Sequence, residues 1–209
     1  MLTNLKSIVR RIDTNNAKIV YKKYSKTDTQ KERFAIYFSV LAGEDKTTYE
    51  ALTKKEQKIY ISNSAEIDIP DTTIEEFYAD YRGFDPITVE YTLNMIFSVV
   101  PSIKDAPDLH PEAFALFCIL HELGHWDHFL SCGKMVHKYI GNPVQAKELF
   151  NEQRILQKEC LQAKSLTDGL KKKALAWTKK YHDMPGEKIA DEYALSQFPN
   201  TWRLLQDYL

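Results

Sequence analysis

Residues 121–125 read His-Glu-Leu-Gly-His, and this pentapeptide indicates both the fold and the chemistry of the 209-residue chain. Side chains four residues apart lie on the same face of an α-helix, so the imidazoles of His121 and His125 can converge on one metal ion. Glu122 is rotated by about 100° from His121 and can hold a water molecule on that ion without occupying a coordination position. The pattern therefore predicts a zinc site in which Glu122 is the catalytic general base.

The sequence ahead of the pentapeptide is strongly apolar between Ala113 and Leu120. This run predicts a buried helix over residues 111–131, with Gly133 just beyond its end. Burial of two histidines and a glutamate costs free energy, which favours a function for them. The alternative is a pair of core histidines whose hydrogen bonds are satisfied by neighbouring groups.

A catalytic zinc site needs a third protein ligand and an open position. Residues 187–191 read Glu-Lys-Ile-Ala-Asp on a second predicted helix, so Glu187 and Asp191 share one face. We expect Glu187 to complete the coordination of one zinc ion per chain. Asp191 would then accept the second N–H of a ligand histidine and fix its tautomer. Ala190 leaves room for this helix to approach the first one at Gly124.

A competing ligand lies on the first helix itself. His128 and Ser131 occupy the positions at which metzincin proteases carry a glycine and a third histidine, so this class of site is excluded. His128 lies on the same stripe as the two motif histidines and stays an alternative ligand. A straight helix cannot easily place three imidazoles around one ion, so we expect His128 to line the pocket or to support a ligand.

Taken together, His121-Glu122-x-x-His125 and Glu187-x-x-x-Asp191 resemble the ligand pattern of gluzincin zinc peptidases, of which thermolysin is a member. The stretch from Glu187 to Ala194 is also similar to that of ImmA/IrrE-type metallopeptidases, and its E-x-x-A-D part to that of HtpX-like proteases. The resemblance implies a zincin fold, in which a small sheet binds an extended peptide at its edge strand. The interval between the two patterns is longer than in most ImmA/IrrE-type proteins, and HtpX-like proteases are membrane proteins, so a soluble relative is implied.

Composition and charge argue against several other classes. The chain is 44% hydrophobic and 27% charged, with a formal net charge of −1, so no global electrostatic argument favours a nucleic acid or an anionic membrane as partner. Three cysteines without a close pair fit a reducing compartment rather than a disulfide framework. The sequence shows neither a secretory signal nor an uncharged stretch long enough to cross a bilayer. We therefore expect a soluble, cytoplasmic protein.

The remaining sequence favours one α+β domain over residues 1–209, with a strand-rich part in 1–70 and a mainly helical part in 71–209. Residues 17–24 and 33–41 predict a hairpin or two separate strands of one sheet, closed by a turn at 43–45. A third strand is predicted over residues 58–62. Helices are predicted from residue 71 to 83 and over 86–100, 111–131, 144–163, 166–182 and 185–197, followed by a short amphipathic tail over 201–209.

Several further side chains are candidates for supporting roles. A tetrahedral oxyanion near zinc benefits from a hydrogen-bond donor, and the sequence offers four without choosing between them: His137, Tyr181, His182 and Tyr193. Asp127 could orient a ligand histidine, although an exposed position is the simpler interpretation. Cys118 is expected to be a buried small hydrophobe rather than a nucleophile.

The resulting hypothesis is a soluble zinc metallopeptidase, an endopeptidase rather than an exopeptidase, that hydrolyses a peptide or protein substrate through a zinc-activated water. The alternative is a regulatory or interaction protein that keeps the zinc as a structural or sensory element. ImmA/IrrE-type proteins, for comparison, commonly act in regulatory pathways on one dedicated partner. A third possibility is a helical binding module in which the motif is accidental.

Overall fold

The computed structural model describes residues 2–23, 35–141, 143–162 and 167–209. It has a small mixed sheet in the N-terminal part and a mostly helical region after it, which confirms the predicted α+β class. The strands are β1 Ile19–Lys22, β2 Tyr37–Ser39 and β3 Glu66–Pro70. The helices are α1 Leu5–Val9, α2 Glu44–Ala51, α3 Lys54–Gln57, α4 Ile74–Phe84, α5 Pro86–Val99, α6 His110–Ser131, α7 Val136–Ile140, α8 Pro143–Gln162, α9 Asp168–His182 and α10 Pro185–Leu205.

The sheet has the strand order β1-β3-β2, with β3 parallel to β1 and antiparallel to β2. Side chains alternate between the two faces of a strand, and in β3 both faces are buried. Ile67 and Ile69 are fully buried in the hydrophobic core. Glu66 and Asp68 lie on the opposite face, where they pair with Lys18 and Lys22.

The regions 17–24 and 33–41 contain β1 and β2, and the alternative of two separate strands of one sheet is confirmed, because each strand pairs with β3 and they form no hairpin; residues 24, 33 and 34 lie outside the described part. Two other predictions need correction. Residues 58–62 contain only an isolated bridge from Ile61 to Met135, since no neighbouring strand extends the pairing. The predicted turn at 43–45 instead begins α2, whose first turn carries two acidic residues that favour a helix start.

Capping signals account for several helix starts. Thr73 and Glu76, which are three residues apart, form a capping box at the start of α4. The Asp85 side chain accepts a hydrogen bond from the Thr88 backbone N–H at the start of α5, where Pro86 occupies the first position. Both signals were readable in the sequence.

The C-terminal helix differs from its prediction because α10 continues through Pro199 to Leu205. Residues 201–205 are therefore part of this helix and not a separate tail. A proline inside a helix removes one backbone hydrogen bond. The apolar face nevertheless continues across it, since Phe198, Trp202 and Leu205 are all buried in the core.

Helix α6 lies at the centre of the molecule, with α10 packed along it and β2, α4 and α5 on its other sides. A Cβ atom on Gly124 would lie 2.8 Å from both the Cα atom and the carbonyl oxygen of Ala190. The two helices therefore meet backbone to backbone at this point. This contact places Glu187, one turn before Ala190, beside the motif histidines. No helix in the described part of the chain has both the length and the apolar character needed to cross a membrane.

Candidate metal centre

Three side chains from α6 and α10 converge at one point. His121 and His125 are buried on α6, and Glu187 comes from the first turn of α10. The Oε2 atom of Glu187 lies 3.2 Å from Nε2 of His121 and 3.5 Å from Nε2 of His125. The ligand atoms of the three residues all lie within 4.8 Å of one another. This group could hold one metal ion.

The donor set suits a divalent metal ion such as zinc. Ligand atoms about 2.0–2.1 Å from a tetrahedral zinc lie roughly 3.3 Å from one another. The two separations that involve Glu187, 3.2 and 3.5 Å, are close to this value. Two imidazoles and one carboxylate are a ligand set that catalytic zinc uses, and they also suit other first-row divalent metals.

The first ligand histidine has a carboxylate behind it. Oδ1 of Asp191 lies 2.9 Å from Nδ1 of His121, and its other oxygen, Oδ2, lies 2.7 Å from Nδ1 of His182. A carboxylate only accepts hydrogen bonds, so Nδ1 of His121 carries a hydrogen and the ring is held with Nε2 facing Glu187. The structure thus places Asp191 where the sequence pattern puts it, and it adds His182 as a second partner of the same carboxylate.

The other two ligands have phenolic neighbours. The hydroxyl group of Tyr139 lies 3.1 Å from Nδ1 of His125, which leaves Nε2 of this histidine on the side of Glu187. Burial and the negative charge of Glu187 raise the pKa of the Tyr181 hydroxyl group, so this tyrosine stays protonated near the carboxylate. Each of the two histidines therefore has a polar partner at Nδ1 that fixes the orientation of its ring.

The hydrogen bonds at the site favour the protonated form of His121 and the ionised form of Glu187. Burial opposes protonation of His121, but its hydrogen bonds with Asp191 and Glu187 outweigh burial and raise its pKa to about 10. Burial likewise opposes ionisation of Glu187, but hydrogen bonds with the two histidines hold its pKa well below the usual range. A metal cation would take the place of the proton that these groups share.

Glu122 lines the same cavity as the three ligands. Its Oε2 atom accepts a hydrogen bond of 2.6 Å from the backbone N–H of Phe38 in the edge strand β2. Burial raises the pKa of the Glu122 carboxyl group. The Phe38 ring lies 5.4 Å from the ring of Tyr139 and 6.5 Å from that of His125, so β2 rests against the motif helix at this point.

The other sequence candidates divide into two sets. Tyr181 and His182 line the cavity, whereas the exposed His137 and the half-buried Tyr193 are not among the described residues that line it. Tyr193 instead packs where α10 meets Gly124. Of the four possible oxyanion donors, two therefore stay in reach of the site.

His128 belongs neither to the ligand group nor to the described lining of the cavity, so the expectation that it lines the pocket is wrong; its ring lies 5.4 Å from the ring of Tyr139. Its Nδ1 atom is buried and has no hydrogen-bond partner in the described part of the chain. Asp127 is exposed and accepts a hydrogen bond from Asn15, as its simpler interpretation predicted. Burial raises the pKa of the Cys118 thiol, so this cysteine is protonated and a poor nucleophile.

Sequence reasoning missed two contacts at this site. Tyr139 comes from the short helix α7, which follows a turn at Gly133 and Lys134 with positive φ angles. No spacing rule links this residue to His125. The contact between Glu122 and Phe38 spans 84 residues and uses a backbone N–H, which leaves no mark in the side-chain pattern. Neither contact had a signal in the sequence.

Comparisons with known proteins place the chain in no family. No protein-family model matches it, and neither a curated protein nor a solved structure gives a match. The likeness to gluzincin peptidases therefore rests on the residues of α6 and α10 alone.

Proposed function

We propose that this chain is a zinc-dependent metallopeptidase in which His121, His125 and Glu187 hold one zinc ion and Glu122 is the general base. The observation that carries the proposal is that these four side chains meet at one cavity. Structural zinc sites ordinarily have four protein ligands, whereas three ligands leave a position for water or substrate. We also propose that the chain forms one domain, because sheet and helices share one hydrophobic core.

The proposed reaction is hydrolysis of a peptide bond. Zinc bound at this site supplies a Lewis acid and lowers the pKa of a bound water molecule to about 7. Glu122 takes the proton of the attacking water on Oε1, because the Phe38 N–H holds its other oxygen. The same carboxyl group then gives this proton to the leaving amine nitrogen. Asp191 and Tyr139 keep the two ligand imidazoles in one orientation throughout.

The edge strand contributes less to substrate binding than the resemblance to zincins implies. Strand β2 is at the edge of the sheet, but the N–H of its central residue, Phe38, is already bonded to Glu122. This donor is not available to pair with an extended peptide. Recognition of a peptide would then depend more on the cavity than on strand addition.

The second candidate is a regulatory or interaction protein with a structural or sensory zinc ion. The contact between Glu122 and Phe38 favours it, because a carboxylate that joins the sheet to the helix has a structural use without catalysis. The two candidates differ in what they predict for Glu122. A structural role makes this residue a determinant of stability, whereas a catalytic role makes it a determinant of turnover.

The test compares zinc-loaded wild type with Glu122→Gln on a mixture of blocked synthetic peptides, with cleavage products identified by mass spectrometry. We expect cleavage by the wild type and a loss of about 10²-fold or more in the variant, at unchanged zinc content. The exposed Glu90 in α5 supplies the control variant Glu90→Gln, which should cleave normally. Equal turnover by Glu122→Gln and wild type would refute the mechanism.

A further inference from the structure

We infer that the cavity beside the ligand group is a specificity pocket for one bulky apolar side chain of the substrate, preferentially an aromatic one. The inference rests on the proposed peptidase function and adds the class of residue next to which the chain cleaves. Its basis is the lining, the size and the charge of the cavity.

The lining is rich in aromatic side chains. The same lining includes His121, Glu122 and Glu187, so a side chain bound in the cavity lies near the proposed reacting peptide bond. Five helices supply aromatic rings to its walls, among them Phe77, Tyr81 and Phe84 from α4, Phe117 from α6, Tyr139 from α7, Phe150 from α8 and Trp177 from α9. Rings of this kind favour an aromatic partner, because offset and edge-to-face contacts add to the burial of apolar surface.

The size of the cavity sets how much of a substrate it accepts. Its volume is about 340 Å³, near the lower end of the range of roughly 300–1,000 Å³ for ligand pockets. This suits one large side chain with its adjoining backbone and not a folded segment of a protein. An alanine would leave most of the apolar wall without a contact, and loss of a single methylene from such a pocket already costs roughly tenfold or more in specificity.

The charges of the lining point the same way. The carboxylate residues Asp85, Glu122 and Glu187 line the cavity, and within the described ranges no lysine or arginine does. An acidic side chain would lose its water here and find no lysine or arginine in the described lining to pair with, which is unfavourable. We therefore expect the pocket to reject glutamate more strongly than alanine.

The experiment uses four peptides, acetyl-Ala-Ala-Ala-Xaa-Ala-Ala-amide, in which Xaa is Phe, Leu, Ala or Glu. Zinc-loaded wild type should cleave next to Phe with a kcat/KM at least tenfold above that for Ala, with Leu between them and Glu below Ala. Equal values for Phe and Ala would overturn the inference and leave the peptidase function intact.

A binding measurement separates failure of the pocket from failure of catalysis. Zinc-loaded Glu122→Gln, studied by titration calorimetry, should bind the Phe peptide at least tenfold more tightly than the Ala peptide without cleaving it. If the variant shows this preference in binding but wild type cleaves no peptide, the peptidase function is refuted and the inference about the pocket stands. Equal affinities for the two peptides would overturn the pocket.

Two variants of α8 supply a matched pair. Phe150 lines the cavity and is 45% exposed, whereas Ile155 on the same helix is 61% exposed and is not part of the lining. Both are accessible enough to accept a charge without loss of folding, which thermal unfolding checks. Phe150→Asp should bring the ratio of the kcat/KM values for the Phe and Ala peptides close to one at unchanged zinc content. Ile155→Asp should keep the wild-type ratio. An unchanged ratio in Phe150→Asp would count against the inference.

Discussion

A Cβ atom added to Gly124 would lie 2.8 Å from the Cα atom of Ala190, so the motif helix and the C-terminal helix touch through their backbones. This contact sets the distance at which Glu187 faces the two histidines. Only glycine at this position of α6 leaves the space, because even one methyl group would overlap the backbone of α10. The spacing of the three candidate metal ligands therefore depends on a residue outside the ligand group.

Gly124→Ala should weaken zinc binding and destabilise the fold. The added methyl group forces the two helices apart, which typically costs about 1–3 kcal/mol and moves Glu187 away from His121 and His125. Zinc affinity, measured by competition with a chromogenic chelator, should fall at least tenfold. The control is Gly83→Ala in α4, where a Cβ meets nothing within 4 Å; it should be neutral or stabilise by up to about 1 kcal/mol. Wild-type zinc affinity in Gly124→Ala would contradict this account of the helix contact.

Asp191→Asn should weaken zinc binding without removing a ligand. The carboxylate fixes His121 through Nδ1 and His182 through a second hydrogen bond, and an amide cannot accept from both with the same strength. Loss of such a partner typically lowers metal affinity about 10- to 100-fold. The exposed neighbour Glu192 provides the control Glu192→Gln, for which chelator competition should give the wild-type value. An unaltered affinity in Asp191→Asn would show that this contact does not orient the ligand.

Tyr139→Phe should have a smaller effect of the same kind. The variant keeps the ring that packs against Phe38 and Phe129 but removes the hydroxyl group at Nδ1 of His125. Loss of one neutral hydrogen bond costs about 0.5–1.5 kcal/mol, so zinc affinity should fall roughly threefold to tenfold. Chelator competition measures this difference, and a loss as large as that of Asp191→Asn would mean that the ring packing had changed as well.

The stability of the N-terminal part should depend on pH through Asp45. This carboxylate accepts hydrogen bonds from the backbone N–H groups of Asn63 and Ser64 and from the hydroxyl groups of Tyr60 and Ser62. Partial burial raises its pKa, but these hydrogen bonds outweigh that effect and lower the pKa below its usual value. A carboxyl group with a lowered pKa in the folded state stabilises the fold above its unfolded pKa, and this contribution is lost as the pH falls through the folded value.

Asp45→Asn should therefore unfold at lower urea concentration than wild type at pH 7, by about 1–2 kcal/mol of unfolding free energy. The difference should shrink as the pH falls from about 4 towards 2, because wild type then loses the same charge. Urea titrations at pH 7, 4 and 3 measure it. A constant difference over this range would assign the effect to side-chain geometry and not to the charge.

The two helices that carry the site were predictable because their residues act locally. The spacing of His121, His125, Glu187 and Asp191 follows from helical periodicity, and Gly124 and Ala190 indicated where the helices meet. The helix through Pro199 was not predictable, because the buried face that sustains it depends on tertiary packing. Local propensity favours an end there, and the core overrides it.

The sheet and the outer contacts of the site could be predicted only in part. β3 alternates polar and apolar side chains as a strand does, but the acidic residues Glu66 and Asp68 make a strand with two buried faces hard to recognise from the sequence. The lysine that pairs with both of them, Lys22, lies in the neighbouring strand β1, so the pairing appears only in the fold. Tyr139 and the Phe38 N–H reach the site through the fold and not through a spacing in the chain. Contacts of this kind require the three-dimensional structure.

The most direct test of the central claim is the metal content of wild type and Glu187→Gln, measured by elemental analysis on protein purified without a metal-affinity tag. We expect about one zinc ion per chain in wild type and a loss of most of it in the variant, because Glu187 completes the three-ligand group. Glu192→Gln, an exposed position on the same helix, should retain the wild-type content. Full zinc content in Glu187→Gln, or no zinc in wild type even after reconstitution, would contradict the account.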